Sequence, residues 1–180
     1  MAAVIIFSLV AFLVTLTLHI GAMLGLVSMP LNIAFGAFFP LMVGAIIANA
    51  HVISQRHADY ITLPPGEFWK FISENAPGWM RSLQIGLLLY AVFNFYFTML
   101  VINQGGYPRL VDGFYVLERQ KVVLDVLTYS QYTWHAGYVV RMLSSIVMAV
   151  YFAAIMRWVA RWRTVGAADV TLPAAEEAVS

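Results

Sequence analysis

The sequence of residues 1–55 is MAAVIIFSLVAFLVTLTLHIGAMLGLVSMPLNIAFGAFFPLMVGAIIANAHVISQ, a stretch without a single Lys, Arg, Asp or Glu. The first formal charge of the chain is Arg56. One crossing of a bilayer needs about 20 apolar residues, so this stretch is long enough for two. Pro30 is its strongest break, since proline disrupts a helix interior. The stretch predicts a helical hairpin, with spans at 3–27 and 32–53 joined by a turn at 28–31.

The composition of the whole chain agrees with a membrane protein. Of its 180 residues, 62% are hydrophobic and 11% are charged, whereas soluble domains average about 45–50% and about 25%. The net charge of +1 indicates no strongly basic or acidic partner, and nucleic acid is not expected. The chain has no cysteine, which excludes disulfides and thiolate chemistry. The N-terminus lacks the basic residues of a cleavable signal, so the first span is expected to be retained.

Two further spans are predicted at 82–103 and 138–160, with an extramembrane segment between them. Asp112-Gly113 separates two apolar runs, the strongest short signal for a hairpin. A second turn at Arg119-Gln120-Lys121 allows a third strand, which gives an antiparallel β-meander over about 107–128. Open strand edges cannot face lipid, so the meander should lie outside the bilayer. The predicted fold is an all-α membrane protein, a four-transmembrane-helix bundle with this small meander between spans three and four.

The last span is expected to belong to a longer helix. Thr128 and Gln131 fit a capping box at its start, and the helix should continue to about Arg163. Residues 1–163 then form a single transmembrane domain, and 164–180 are predicted to be a disordered tail. In the 54–81 loop, Glu67–Ile72 predicts a short helix, either lying in the headgroup region or packed on the helix ends.

Small residues recur on the first two spans. Gly21 and Gly25 form a GxxxG pattern, and Gly36 and Gly44 lie on one face of span two, where Pro40 predicts a kink. Small residues allow helices to approach closely in lipid. They predict packing of the two spans against each other, and the alternative is homo-oligomerisation through the same faces.

The basic residues predict the orientation. Four spans place Arg56, Lys70, Arg81, Arg157, Arg161 and Arg163 on one side, and Arg109, Arg119 and Lys121 on the other. This asymmetry predicts cytoplasmic N- and C-termini and an external meander. Arg141, inside span four, weakens the asymmetry.

Counting depth along the spans brings six polar residues into the outer third of the bundle. They are His19, Asn94, Thr98, Arg141, Ser144 and Ser145. Polar groups in hydrocarbon are costly and should point toward each other. Two interpretations remain open: a pocket capped by the meander that binds a headgroup, quinone or ion, or hydrogen bonding between helices with Arg141 reaching to the interface. Arg141 could also tether the meander through Asp112, Glu118 or Asp125.

The same residues argue against metal and catalytic chemistry. His19 and His51 lie at different depths. His57 and His135 are not at a spacing that would let them share a metal with another histidine. Neither a metal nor another cofactor is therefore expected. No predicted span contains an acidic residue, which disfavours a carboxylate proton relay.

A resemblance adds to this interpretation. The segment 106–117, GYPRLVDGFYVL, followed by 122–128, VVLDVLT, by Tyr132 and by Arg141 with Ser144, resembles a segment of uncharacterised bacterial inner-membrane proteins. In them an extracytoplasmic G-x-P…DG-x-Y-x-L strand pair precedes the last span. The resemblance implies a topology and a bacterial inner membrane, and it implies no activity.

The sequence thus favours a small, non-catalytic accessory, assembly or interaction subunit of the bacterial inner membrane. The alternative is a protein that binds or transports a lipid, quinone or ion through the polar layer. An intramembrane enzyme is disfavoured because no catalytic dyad is evident.

Overall fold

The computed structural model describes residues 2–29, 31–54 and 75–171. Within them are four long helices, one of which continues into a π-helix, and one antiparallel sheet. In chain order the elements are α1 (Ala2–Met23), α2 (Leu31–Ser54), α3 (Gly78–Tyr96), the π-helix Phe97–Ile102, β1 (Tyr107–Val111), β2 (Phe114–Arg119), β3 (Val122–Leu127) and α4 (Tyr129–Thr171).

Three helical segments are long and apolar enough to cross a membrane: Ala3–Met23, Gly78–Ile102 and Tyr129–Ala160. α2 has 24 residues, and its apolar stretch Ile33–Ala48 lies within the part whose side chains the structure describes. The mostly helical fold and the small antiparallel sheet agree with the sequence, and three apolar helices of spanning length agree with a membrane protein.

α4 is the centre of the bundle. Within the most apolar 18-residue window of each segment, 67% of the residues are buried for α4, against 22% for α1 and 17% for α3. A helix that is apolar all round belongs in a core. The main cluster joins α1, α2 and α4 through residues such as Ala11, Phe38, Val139 and Tyr151. The large side chains of α1 and α3 that face outward, Leu13 and Leu89 among them, are exposed and suit contact with lipid.

The predicted hairpin of spans one and two is therefore corrected, because α1 and α2 pack mainly on α4 and little on each other. Gly25 lies beyond the end of α1 with φ +71°, where it caps the helix, so it shares no helix face with Gly21. A Cβ on Gly21 would lie 2.7 Å from Val27, in the connection that follows. A Cβ on Gly36 would meet nothing within 4 Å, whereas one on Gly44 would meet Tyr151 and Phe7.

The sheet confirms the predicted meander. Its strand order is β1-β2-β3, with Val111 paired to Phe114 and Arg119 to Val122. Asp112 and Gly113 have φ of 49° and 84°, the two positive values that a type I′ turn requires. The sheet packs on α4 through Leu117, Leu127 and Tyr132.

The capping box is also confirmed. The Thr128 amide donates to Oε1 of Gln131 over 2.7 Å, and the Gln131 amide donates back to Oγ1 of Thr128 over 3.3 Å. The helix that starts here continues to Thr171, past the predicted start of the tail at 164. α3 begins at Gly78, directly after Pro77, earlier than the predicted 82. The turn residue Pro30 and the predicted helix at Glu67–Ile72 lie outside the described residues, as do residues 172–180.

Candidate functional site

A hydrogen-bonded triad crosses the bundle at the level of His19. This histidine of α1 is 3% exposed. Its Nδ1 lies 2.8 Å from Oγ of Ser144 on α4, and its Nε2 lies 2.8 Å from the hydroxyl of Tyr90 on α3. The triad therefore joins three helices through one imidazole. The sequence placed His19 and Ser144 in the same layer, and the structure brings these two into contact.

The hydrogen bonds of Ser144 indicate what the triad does. Its hydroxyl donates to the carbonyl of Val140 over 2.6 Å, so Nδ1–H of His19 is the donor to Ser144. In a neutral imidazole Nε2 is then an acceptor, facing the Tyr90 hydroxyl, which also lies 3.9 Å from Sδ of Met23. Both ring nitrogens have a polar neighbour. A serine–histidine pair can form a nucleophile and its base, but Ser144 is fully buried and its proton points to a carbonyl. This geometry positions helices and does not activate a nucleophile.

The other small polar residues of the predicted layer are buried but do not join the triad. Ser145 donates to the carbonyl of Met142 over 2.8 Å, within its own helix. Thr98 donates to the carbonyl of Tyr138 over 3.5 Å, which links α3 to α4. Asn94 is 1% exposed, and its Nδ2 finds no acceptor in the described part of the chain.

The proposed tether between Arg141 and the meander is not formed. Glu118 pairs instead with Arg109 across the sheet, at 3.3 Å. The guanidinium of Arg141 lies 4.7 Å from the ring centroid of Tyr138. Its Nε is buried without a hydrogen-bond partner among the described residues. Arg141 follows Tyr129 by twelve residues, about 18 Å along the helix, which places it well below the sheet.

Arg141 does line a small crevice of about 110 Å³ beside the end of α1. Its wall also includes Gly25, Thr133, Trp134, Gly137 and Tyr138. Among the six predicted site residues, Arg141 is the one that lines this crevice.

A larger cavity of about 790 Å³ lies between the sheet and the surface end of the bundle. None of the six predicted site residues lines it. Four tyrosines do, namely Tyr107, Tyr115, Tyr129 and Tyr132, together with apolar residues that include Met29, Ile33, Phe35, Pro108 and Leu110. Tyr115 lies 4.7 Å from Tyr132 and 5.5 Å from Tyr129, measured between ring centroids. The side chains are mainly aromatic and apolar, and the polar groups are the phenol hydroxyls together with Ser28, Thr133 and Arg109.

The sequence did not predict the cavity because three segments that are distant in sequence form it: the α1–α2 connection with the first turn of α2, the β1–β2 hairpin, and the first turns of α4. Tyr90 could have been predicted from the sequence as a residue of the polar layer. Tyr90, Asn94 and Thr98 are spaced by four residues, and this spacing places them on one helix face.

The π-helix ends at a second polar contact. The amide of Asn103 donates to the carbonyl of Thr98 over 2.8 Å, and Oδ1 of Asn103 lies 2.8 Å from Nδ1 of His135 on α4. Amide oxygens accept, so Nδ1 of His135 carries the proton. π-turns often occur at functional sites, and this one joins the end of α3 to the start of α4.

No family model, no curated protein and no solved structure matches this chain. The function therefore has to be argued from the residues and their geometry.

Proposed function

We propose that this chain is an integral membrane protein that binds an amphiphile of the lipid or quinone class in the tyrosine-lined cavity. The observation that carries the proposal is the cavity itself, about 790 Å³ at the surface end of the bundle. Small-molecule sites are concave, of about 300–1,000 Å³, and mostly apolar with few polar groups. The cavity fits that description in size and in lining.

The chemistry of the lining selects the class of ligand. Tyrosines combine a large apolar ring with a polar tip and suit positions that are apolar at one end and wet at the other. Tyr115 and Tyr132 offer ring faces, while Met29, Ile33 and Leu110 offer aliphatic contacts. The one cation of the lining, Arg109, is already paired with Glu118. The lining therefore favours a ring or an acyl chain over a small hydrophilic solute.

Native mass spectrometry of the detergent-purified protein tests this proposal. The probes are a short-chain phosphatidylcholine and a short-chain isoprenoid quinone, added separately. Ser28→Trp is the filling variant, because Ser28 is exposed and lines the cavity. We expect it to weaken binding of the preferred probe by about tenfold or more, equivalent to about 1.4 kcal/mol.

Ser130→Trp is the matched control, since Ser130 is exposed on the first turn of α4 and does not line the cavity. It should bind the probe as the wild type does. Equal binding by wild type, Ser28→Trp and Ser130→Trp would overturn the proposal.

An accessory or interaction subunit is the second candidate, supported by an apolar surface on the sheet. Phe114 and Val126, each more than 60% exposed, are diagonal neighbours on β2 and β3, since Val126 pairs with Val116. Apolar patches of this kind mark interaction sites. The partner would be a membrane protein with an apolar surface outside the bilayer. Affinity purification in mild detergent should recover it in stoichiometric amount, and Phe114→Asp should release it.

We also propose that α2 forms a fourth crossing and that the protein lies in a bacterial inner membrane with both termini in the cytoplasm. The asymmetry of Lys and Arg supports this orientation. Reporter fusions at Asp112 and Ser180 test it. A reporter that is active only outside the membrane should work at Asp112, and its activity at Ser180 would contradict the orientation.

A further inference from the structure

Arg141 is a cation without a counter-charge in the described part of the chain. It lies inside the apolar segment Tyr129–Ala160. Neither this segment nor α1, α2 or α3 contains an acidic residue, and the ion pair recorded in the described chain joins Arg109 to Glu118. A charged group in such a setting is costly unless it meets a partner. The ring of Tyr138 stacks on the guanidinium, and it stabilises the positive charge of Arg141 less than a paired carboxylate would.

The space beside Arg141 has the size and the donors of an oxyanion site. The crevice of about 110 Å³ equals roughly three or four water volumes, enough for a tetrahedral oxyanion and too small for a whole lipid. Trp134 and Tyr138 belong to its lining, and their side chains carry an indole N–H and a phenol hydroxyl, both possible donors. Gly137 lies where α4 and the end of α1 come close, since a Cβ there would stand 3.7 Å from the carbonyl oxygen of Val27 and 3.8 Å from that of Ala22.

The end of α1 borders the crevice through Ala22 and Met23. The carbonyls of Gly21 and Ala22 accept hydrogen bonds from the amides of Leu26 and Gly25. A helix C-terminus keeps partial negative charge, so an oxyanion would bind on the side of the crevice formed by α4. Nε of Arg141 is buried and has no hydrogen-bond partner among the described residues, so an oxyanion in the crevice would meet the terminal nitrogens of the guanidinium. A bidentate oxyanion is the partner that the guanidinium fork matches best.

We propose that the Arg141 crevice, lined by Gly25, Thr133, Trp134, Gly137, Tyr138 and Arg141, binds a phosphate oxyanion. The nearby Met23, Leu24 and Leu26 are exposed and apolar, which suits the acyl chains of a phospholipid whose phosphate occupies the crevice. A free phosphate ion would satisfy the same donors. The crevice adjoins the tyrosine-lined cavity through Thr133, but Arg141 lines only the crevice, so this inference does not depend on the ligand of that cavity.

Binding of phosphatidylglycerol, of diacylglycerol with the same chains, and of inorganic phosphate tests the site by native mass spectrometry and calorimetry in a detergent without phosphate. We expect the wild type to prefer phosphatidylglycerol over diacylglycerol by about tenfold or more, as for a charge-assisted hydrogen-bond pair. Arg141→Gln should abolish this preference, and Arg141→Lys should weaken it because lysine lacks the fork. Arg81→Gln, an exposed arginine on α3, is the matched control and should preserve it.

The outcomes separate the two sources of phosphate. A preference for phosphatidylglycerol that depends on Arg141 identifies a lipid phosphate, and Arg141-dependent binding of inorganic phosphate alone identifies the free ion. If Arg141→Gln does not fold, Gly137→Ala carries the test, since its methyl group has room and narrows the crevice. Equal binding of the two lipids by the wild type, together with no binding of inorganic phosphate, would overturn the site.

Discussion

Two parts of α4 differ in how their polar groups are used. Near its middle, Ser144 meets His19, whose other ring nitrogen meets Tyr90, and the three side chains satisfy one another. One turn closer to the surface end, Nε of Arg141 has no hydrogen-bond partner among the described residues, and the side chain lines a crevice. Buried polar groups that are fully paired specify packing, whereas unpaired donors beside open space suggest a missing ligand. We therefore assign structure to the first part and binding to the second.

The largest loss of stability is expected when the hydrogen-bonded triad is disrupted. His19→Ala removes two hydrogen bonds and leaves a cavity among three helices. The free energy of unfolding should fall by about 2–4 kcal/mol, measured by reversible unfolding in detergent. Ile20→Ala, next in sequence and half exposed, should cost much less. An equal loss in both variants would mean that the triad does not hold the bundle together.

A similar but smaller loss is expected from overpacking α2 against α4. The added Cβ of Gly44→Leu would lie 3.0 Å from the Tyr151 hydroxyl and 3.2 Å from the Phe7 ring. We expect a destabilisation of about 1–3 kcal/mol. Gly36→Leu on the same helix meets open space and should change stability by less than about 0.5 kcal/mol. If Gly36→Leu lowered the thermal unfolding temperature more than Gly44→Leu, that result would support the packing of spans one and two that the sequence predicted.

The smallest effect isolates one hydrogen bond of the triad. Tyr90→Phe keeps the ring beside His19 and removes the hydroxyl, so stability should fall by about 0.6 kcal/mol and at most about 1.7 kcal/mol. Tyr96→Phe, on the exposed side of α3, is the control and should be neutral. If Tyr90→Phe also weakened phosphatidylglycerol binding strongly, that result would contradict the assignment of a structural role to the middle of α4 and of binding to its surface end.

Local signals in the sequence predicted local structure well. Asp112-Gly113 predicted a type I′ turn and both residues adopt positive φ. Thr128 and Gln131 predicted a capping box, and both of its hydrogen bonds form. These features depend on neighbouring residues alone, which is why a single sequence contains them. Depth counting succeeded for His19 and Ser144 for a related reason, because the rise of a helix is fixed.

The arrangement of the helices could not be predicted in the same way. The glycines of α1 and α2 suggested a hairpin, but Gly25 ends α1 instead of continuing its face. Which helix lies in the centre depends on how all faces are shared at once. The one clue was the small residues of α4 on several sides, among them Ser144, Ala149 and Ala154. The tyrosine-lined cavity needs three segments to be placed together, and no periodicity of the sequence contains that information.

Photoaffinity labelling tests the central assignment most directly, namely that ligands bind at the surface end of α4 and not along its middle. The purified protein is irradiated with a diazirine-bearing phosphatidylglycerol, and the labelled peptides are mapped by mass spectrometry. We predict labels within 25–29, 107–115 and 129–141, the segments that line the cavity and the crevice, and that unlabelled phosphatidylglycerol suppresses them. Labels spread along the exposed faces of α1 and α3, with none at the surface end of α4, would contradict the account.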